Sequence, residues 1–382
     1  MPQALLIWIA TGAKVSSTAS ESTKVPSTTI TAATISSTRV GCCEKPVTTA
    51  PTFCGLTLCA GCAVTTSNQL ALPASQAPDC DAATGPPVPY IDRVRSYYQA
   101  LGYGTPYEWV HFDAVPFQRL PRPLAQCRVA LVTTAAPYRE QAGNQEPGAP
   151  YNAAAKFFAV YSGASTGAVE GRVDLRISHV AIDRQHTTGA DMASHFPLAA
   201  LQRSAASGRI AAVARRFHGA PTLRSQRRTL DVVAPEIVAR CQADGADAVI
   251  LVANCPVCHQ TVSLVARALE AQGMATVVMG CARDIVQHIG VPRLLFSDFP
   301  LGNAAGRPHD VESQTFTLEL ALQLLEQAQA ARSTLASPLR WSSSSDWKQD
   351  YCNIERLSAE TIAQRRADFD AAKVLAHQQR EE

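Results

Sequence analysis

Between Pro235 and Ser297 the chain repeats one pattern three times: a segment with helical spacing of apolar residues, a short connection, then a short run that is apolar almost throughout. The helices are expected at Pro235–Ala243, after Cys258, and at Ala282–Ile289; the runs are Ala248–Ala253, Met274–Met279 and Arg293–Ser297. A strand with one wet face alternates polar and apolar residues, whereas a strand covered on both faces does not. The pattern therefore predicts an α/β fold, a mostly parallel sheet with helices on both faces in Rossmann-like three-layer units. Upstream, a helix is predicted over Tyr90–Leu101, stopping at Gly102, and a strand over Val129–Thr133. Tyr138–Gly171 reads as a long irregular connection. A second strand is expected at Arg176–Ile182, a short helix at Pro197–Ser207 and a strand at Ile210–Ala214. Helices Val311–Ala331 and Ser358–His377 close the chain.

Residues 1–85 differ in texture from residues 86–382, which form the expected α/β domain. Lys14–Val40 is dominated by Ser and Thr without a sustained period, the signature of a disordered leader. Its few acids and scattered Lys14, Lys24 and Arg39 allow a transit peptide, which would make the protein organellar; an upstream extension outside the working protein is the other reading, with a cytoplasmic location. Cys59 and Cys62 have metal-ligand spacing, but no second pair accompanies them. The formal charge of +2 gives no electrostatic case for nucleic acid or an anionic membrane as partner. No apolar run approaches the length of a membrane span. Cys127, Cys241, Cys255, Cys258, Cys281 and Cys352 are dispersed through a core-forming region that needs no disulfide staples, so a reducing compartment suits them.

The chemistry concentrates where predicted strands end, the edge at which open parallel sheets bind ligands. Ala248–Ala253 runs through Asn254 into Cys255-Pro256-Val257-Cys258. Pro256 suits the first helical position, which makes Cys255 the expected N-cap and Cys258 a first-turn residue. The free N–H groups there favour a thiolate over a thiol, and the pair can cycle between dithiol and disulfide. Cys281 stands at the next helix start, and Asp298 and Asn303 follow the third strand. Each has a plain structural alternative: an inert core thiol for Cys281, a turn cap for Asp298 and Asn303. His259 is either a solvated neighbour of the thiols or an imidazolium that stabilises a thiolate. His179 falls inside a predicted strand, where a satisfied core residue is the usual fate. His218 follows a strand end and suits a ligand-facing role. Seven arginines between Arg203 and Arg228 lie in a stretch without an acid. One among Arg215–Arg228 could bind a carboxylate bidentately.

With these residues assembled, the chain from about Pro89 to Asp370 resembles the selenoprotein B subunits of the glycine, betaine, sarcosine and D-proline reductases. The resemblance rests on Ile91–Tyr103 with its Tyr-Tyr-x-Ala-Leu-Gly-Tyr ending, on Asp174–His179, on Phe196-Pro197-Leu198, on Asp244–Asp247 through Cys255–Cys258, and on Pro300–Asn303. It implies reductive cleavage of a C–N bond alpha to a carboxylate. A selenol attacks the alpha carbon, a thiol resolves the adduct, and a thioredoxin-like dithiol donor restores the reduced enzyme. A pyruvoyl group on a separate partner reductase subunit activates the amine, so no cofactor is expected in this chain. Carried onto this sequence, Cys255 takes the attacking position, as cysteine in place of selenocysteine, and Cys258 the resolving one; the reverse assignment stays open. Cys281 and His259 are supporting candidates, and His179, His218, Asp298 and Asn303 candidates for binding a small carboxylate substrate. No metal is expected in this reading. Two rivals remain: a cofactor-independent two-cysteine racemase or lyase, and a noncatalytic zinc-binding subunit with Cys255, Cys258, Cys281 and His259 as ligands.

Overall fold

A computed structural model describes residues 85–165, 173–177 and 179–381. The expected disordered leader and the Cys59/Cys62 pair lie outside the described residues. Helix α1 (Tyr90–Ala100) ends where Gly102 adopts φ +81°, a left-handed conformation that only glycine takes without strain. Strand β1 (Arg128–Thr133) follows, then β2 (Ala136–Pro137), β3 (Tyr161–Ala164) and β4 (Leu175–Arg176). Helix α2 (Leu198–Ala206) leads to β5 (Ala212–Val213) and β6 (Arg216–Gly219). After α3 (Ala234–Ala243) the chain alternates through β7 (Ala248–Val252), α4 (Pro256–Ala271), β8 (Ala275–Gly280), α5 (Arg283–Ile289) and β9 (Arg293–Phe296). Helix α6 (Val311–Gln327), edge strand β10 (Ser333–Ala336) and helix α7 (Ala359–Glu381) complete it.

The main sheet has the order β10-β9-β8-β7-β1-β6-β3, with β5 also on β1. Every pairing in it is parallel except β3 on β6. Alternate residues of the strands feed two separate apolar clusters: Val129, Leu131, Ile250 and Val277 join one, Ala130, Val132, Leu251 and Val278 the other. This is the expected α/β sheet with both faces covered. From β1 the chain goes first to β6 on one side and then returns to place β7 on the other. The order thus reverses at β1, and the crevice beyond the carboxyl ends of β1 and β7 is where such sheets bind ligands. Among the described residues no helix is long and apolar enough to cross a membrane.

Two expectations about the strands need correction. The strand predicted at Arg176–Ile182 shrinks to Leu175–Arg176, which pairs antiparallel with β2. The buried Arg184 guanidinium donates to the carbonyls of His179 (2.6 Å) and Val180 (2.9 Å), so these groups find partners in a turn and not in a ladder. The stretch read as irregular contains β3, whose partner β6 was hidden by its polar residues. Its His218 is fully buried opposite Ser162. Each strand places an aromatic ring over a glycine of the other: a Cβ at Gly163 would meet the Phe217 ring at 2.4 Å, and one at Gly219 the Tyr161 ring at 1.8 Å.

Candidate functional site

Cys255 caps α4 as expected: its backbone is extended and its Sγ accepts from the Cys258 N–H at 3.4 Å. One turn on, Cys258 brings its own sulfur to 3.0 Å from that of Cys255. Both thiols are reduced and buried. Two further segments reach this point. Thr222, in the loop after β6, holds its hydroxyl 3.0 Å from the Cys258 sulfur and 3.1 Å from Nε2 of His179. Thr134, just past β1, also contributes a hydrogen bond to Cys258. The site is therefore assembled from the exits of β1, β6 and β7, at the reversal of strand order, with His179 supplied by the turn that Arg184 holds.

The two thiols are electrostatically unequal. Burial alone would raise Cys258, but the Cys255 thiol donating to it, with His179 and Thr134 alongside, outweighs burial and holds it well below the ordinary thiol value. Cys255 is pushed well above that value, by burial and by the charge and hydrogen bond it shares with Cys258. The surroundings thus favour negative charge on Cys258 over Cys255.

The remaining sequence candidates lie elsewhere. His259 is fully buried, so the solvated reading is corrected. Its Nε2 faces the backbone N–H groups of Cys281 (2.9 Å) and Ala282 (3.0 Å) and must accept from both. Its Nδ1 therefore carries the proton and donates to the Cys255 carbonyl at 2.7 Å. Burial lowers it to about 4, which keeps it neutral. His259 fastens the start of α4 to the exit of β8; a Cβ on Gly280 would touch its ring at 2.7 Å. Cys281 belongs to the apolar cluster on the other face of the sheet from Cys255 and Cys258. Its thiol is driven upward by burial, against hydrogen bonds from the backbone of Asn303 and Phe299.

His218 does not face the thiols. Its Nδ1 lies 2.9 Å from the Ser162 hydroxyl and its Nε2 3.3 Å from Asp244, a carboxylate that also pairs with Arg215 and Arg216. Asp244 precedes β7 while Cys255 follows it, so the carboxylate that His218 faces lies at the other end of that strand, although His218 itself is in register with Val132 near the carboxyl end of β1. That carboxylate also occupies Arg215 and Arg216, two of the arginines among Arg215–Arg228 considered for a carboxylate. Asp298 pairs with Lys348, whose ammonium also bonds the carbonyls of Gly85 and Pro86. Asn303 donates to Thr187 at 2.6 Å and to the Pro300 carbonyl.

The zinc set of Cys255, Cys258, Cys281 and His259 is not assembled: Cys281 is on the other face and both ring nitrogens of His259 are bonded to backbone. Sequence reasoning missed Thr134 and Thr222. Thr134 could have been flagged as the first residue past a predicted strand, whereas Thr222 follows a strand that was itself unrecognised. A small, partly open groove lies beside the His179 turn, lined in part by Arg176, Ile182, Arg184 and Thr187. Ile182 shares an apolar cluster with Cys255 and Cys258.

The chain is similar to the D-proline reductase subunit gamma of Acetoanaerobium sticklandii, 28% identical over 171 residues that span 44% of this chain and 69% of that protein. The similarity supports a distant relationship to the reductase family, without singling out the selenoprotein B type. No family model and no solved structure matches the chain significantly.

Proposed function

We propose that this chain is a thiol-dependent reductase subunit that cleaves a C–N bond, or a similar bond, of a small amino-acid-like carboxylate, with Cys255 and Cys258 cycling through a disulfide. The observation that carries the reading is the buried pair of sulfurs 3.0 Å apart, with the Thr222 hydroxyl 3.0 Å from the sulfur of Cys258. The distant relationship to a reductase subunit supports it. The Cys258 thiolate attacks the carbon bearing the nitrogen, so that a C–S bond forms, the C–N bond breaks and the amine leaves with a proton. Cys255 sulfur then attacks Cys258 sulfur: the S–S bond forms, the C–S bond breaks, and the carbon keeps the electron pair and is protonated. Two thiols supply two electrons, and a C–H bond replaces the C–N bond. His179, linked to Cys258 through the Thr222 hydroxyl, is the acid we assign to the protonation. Taking Cys258 as the attacker reverses the assignment implied by the resemblance, because the side-chain donors converge on that sulfur.

A thioredoxin-like dithiol is the proposed source of reducing equivalents, and a partner subunit the proposed site of amine activation. A pyruvoyl group there would supply electron withdrawal at the nitrogen. With Cys255 only 3% exposed, such a group does not reach the thiols across the protein surface. The groove bearing Arg176 is the proposed approach for the substrate carboxylate.

Mass spectrometry of the full chain tests this, comparing alkylation of Cys255 and Cys258 after dithiol reduction and after mild oxidation. The expected result is a reversible Cys255–Cys258 disulfide and preferential alkylation of one thiol at neutral pH. Failure of oxidation to link the two would remove the mechanism.

A further inference from the structure

We infer that the reduced thiol pair and His179 form a binding site for a thiophilic divalent cation of the zinc class. The reading goes beyond the redox proposal and needs only reduced thiols and the imidazole. Among the described residues, Cys255, Cys258 and His179 each present one ligand atom, all within 4.8 Å of one another, and all three residues are buried. Two sulfurs and one imidazole nitrogen are the donors zinc prefers, and three protein ligands with one open position is the arrangement of sites that bind a water or substrate as the fourth.

An independent observation points the same way. Nδ1 of His179 is buried and has no hydrogen-bond partner among the described residues, while its Nε2 meets Thr222. Buried ring nitrogens are normally satisfied, and a metal-binding histidine uses one nitrogen for the ion while the other is held by a hydrogen bond. At a Zn–S length of about 2.3 Å, two sulfurs on one tetrahedral ion stand about 3.8 Å apart. The observed 3.0 Å therefore needs an opening of under an ångström, within reach of side-chain rotation. Thiols give up their protons when they ligate a metal ion. Since the ion takes both sulfurs, metal binding and disulfide formation exclude each other.

The experiment is a titration of the phosphine-reduced full chain with Co²⁺, followed by thiolate-to-cobalt charge-transfer absorption and by displacement with Zn²⁺. The chain carries six cysteines before residue 85, so the signal is read as the difference from Cys255→Ser and, independently, from Cys258→Ala, each checked for native circular dichroism. A saturable one-to-one difference band is expected, with at least tenfold weaker binding in His179→Gln. A second reading uses the unaltered chain: Zn²⁺ should slow alkylation of the peptide carrying Cys255 and Cys258, and a chelator should restore it. Absence of the difference band, a band indifferent to His179→Gln, or alkylation unchanged by Zn²⁺ would each overturn the site. None of these requires a disulfide, so failure here leaves the redox reading standing, and a chain that binds cobalt but forms no disulfide separates the two in the other direction.

Discussion

Helix α4 has a buried acidic group at each end, Cys258 and Glu270, and the two are held in different ways. At its C-terminal end the Glu270 carboxylate accepts from the Thr276 N–H (2.6 Å), the Thr276 hydroxyl (2.9 Å), the Gln118 N–H and the Arg293 guanidinium (2.8 Å). Glu270 and Arg293 both have side chains without solvent exposure. At its N-terminal end the Cys258 sulfur has a thiol, hydroxyls and an imidazole around it. A permanent cation fixes the first charge, whereas polarisable donors stabilise the second. The first arrangement has one stable state. The second can lose its charge to a proton, a disulfide or a metal ion without leaving a buried arginine unpaired, which is what a reactive site requires.

The largest expected effect tests that contrast directly. Arg293→Met leaves Glu270 buried without its cation and should cost about 3–5 kcal/mol of unfolding free energy in urea. Cys258→Ser removes a charge that has no permanent counterion and should cost under about 2 kcal/mol while abolishing the disulfide. Equal losses in the two variants would show that the thiol end is as much a structural fastening as the carboxylate end.

A smaller effect separates the fastening at the N-terminal end from the thiols it holds. His259 is lowered to about 4 by burial, against about 6.5 for a free imidazole. As pH falls below 6.5 the unfolded chain takes up a proton at this position and the folded chain does not, so the stability His259 provides is complete at pH 7 and is lost toward pH 4. Asp183 and Asp284, raised to about 6 by burial, act in the opposite sense, so the total pH curve is not informative. The difference curve is: the cost of His259→Gln should be greatest at pH 7 and shrink by up to roughly 3 kcal/mol toward pH 4. A cost independent of pH would show that His259 does not stay neutral in the fold.

What could be read from the sequence follows the same division. Strands β7, β8 and β9 announce themselves because residues buried on both faces leave uninterrupted apolar runs, and Cys255-Pro256 marks its cap by local chemistry alone. The Glu270–Arg293 pair was not legible: the two residues meet only because β8 and β9 lie side by side, a fact of sheet order. His179 was misplaced for a related reason, since a local alternation suggested a strand while Arg184, five residues on, drew the same carbonyls into a turn. Asp298 and His218 stand at strand ends or edges just as their sequence suggested, yet Lys348 and Asp244, remote in sequence, claim them.

The smallest effect concerns Thr222, whose hydroxyl joins His179 to Cys258. Thr222→Val keeps the side-chain shape and removes the donor, so the native fold should lose no more than about 1 kcal/mol. The same loss acts on the thiolate: withdrawing one hydrogen bond worth about 1 kcal/mol should lower the Cys258 thiolate population roughly fivefold at a pH below its midpoint. The pH profile of Cys258 alkylation should shift upward, and Thr222→Ser should restore it. A merely structural threonine would lower stability and leave that profile in place. If the profile stays fixed in Thr222→Val, then Cys255, His179 and Thr134 suffice to hold the charge, and the route from imidazole to sulfur does not run through this hydroxyl.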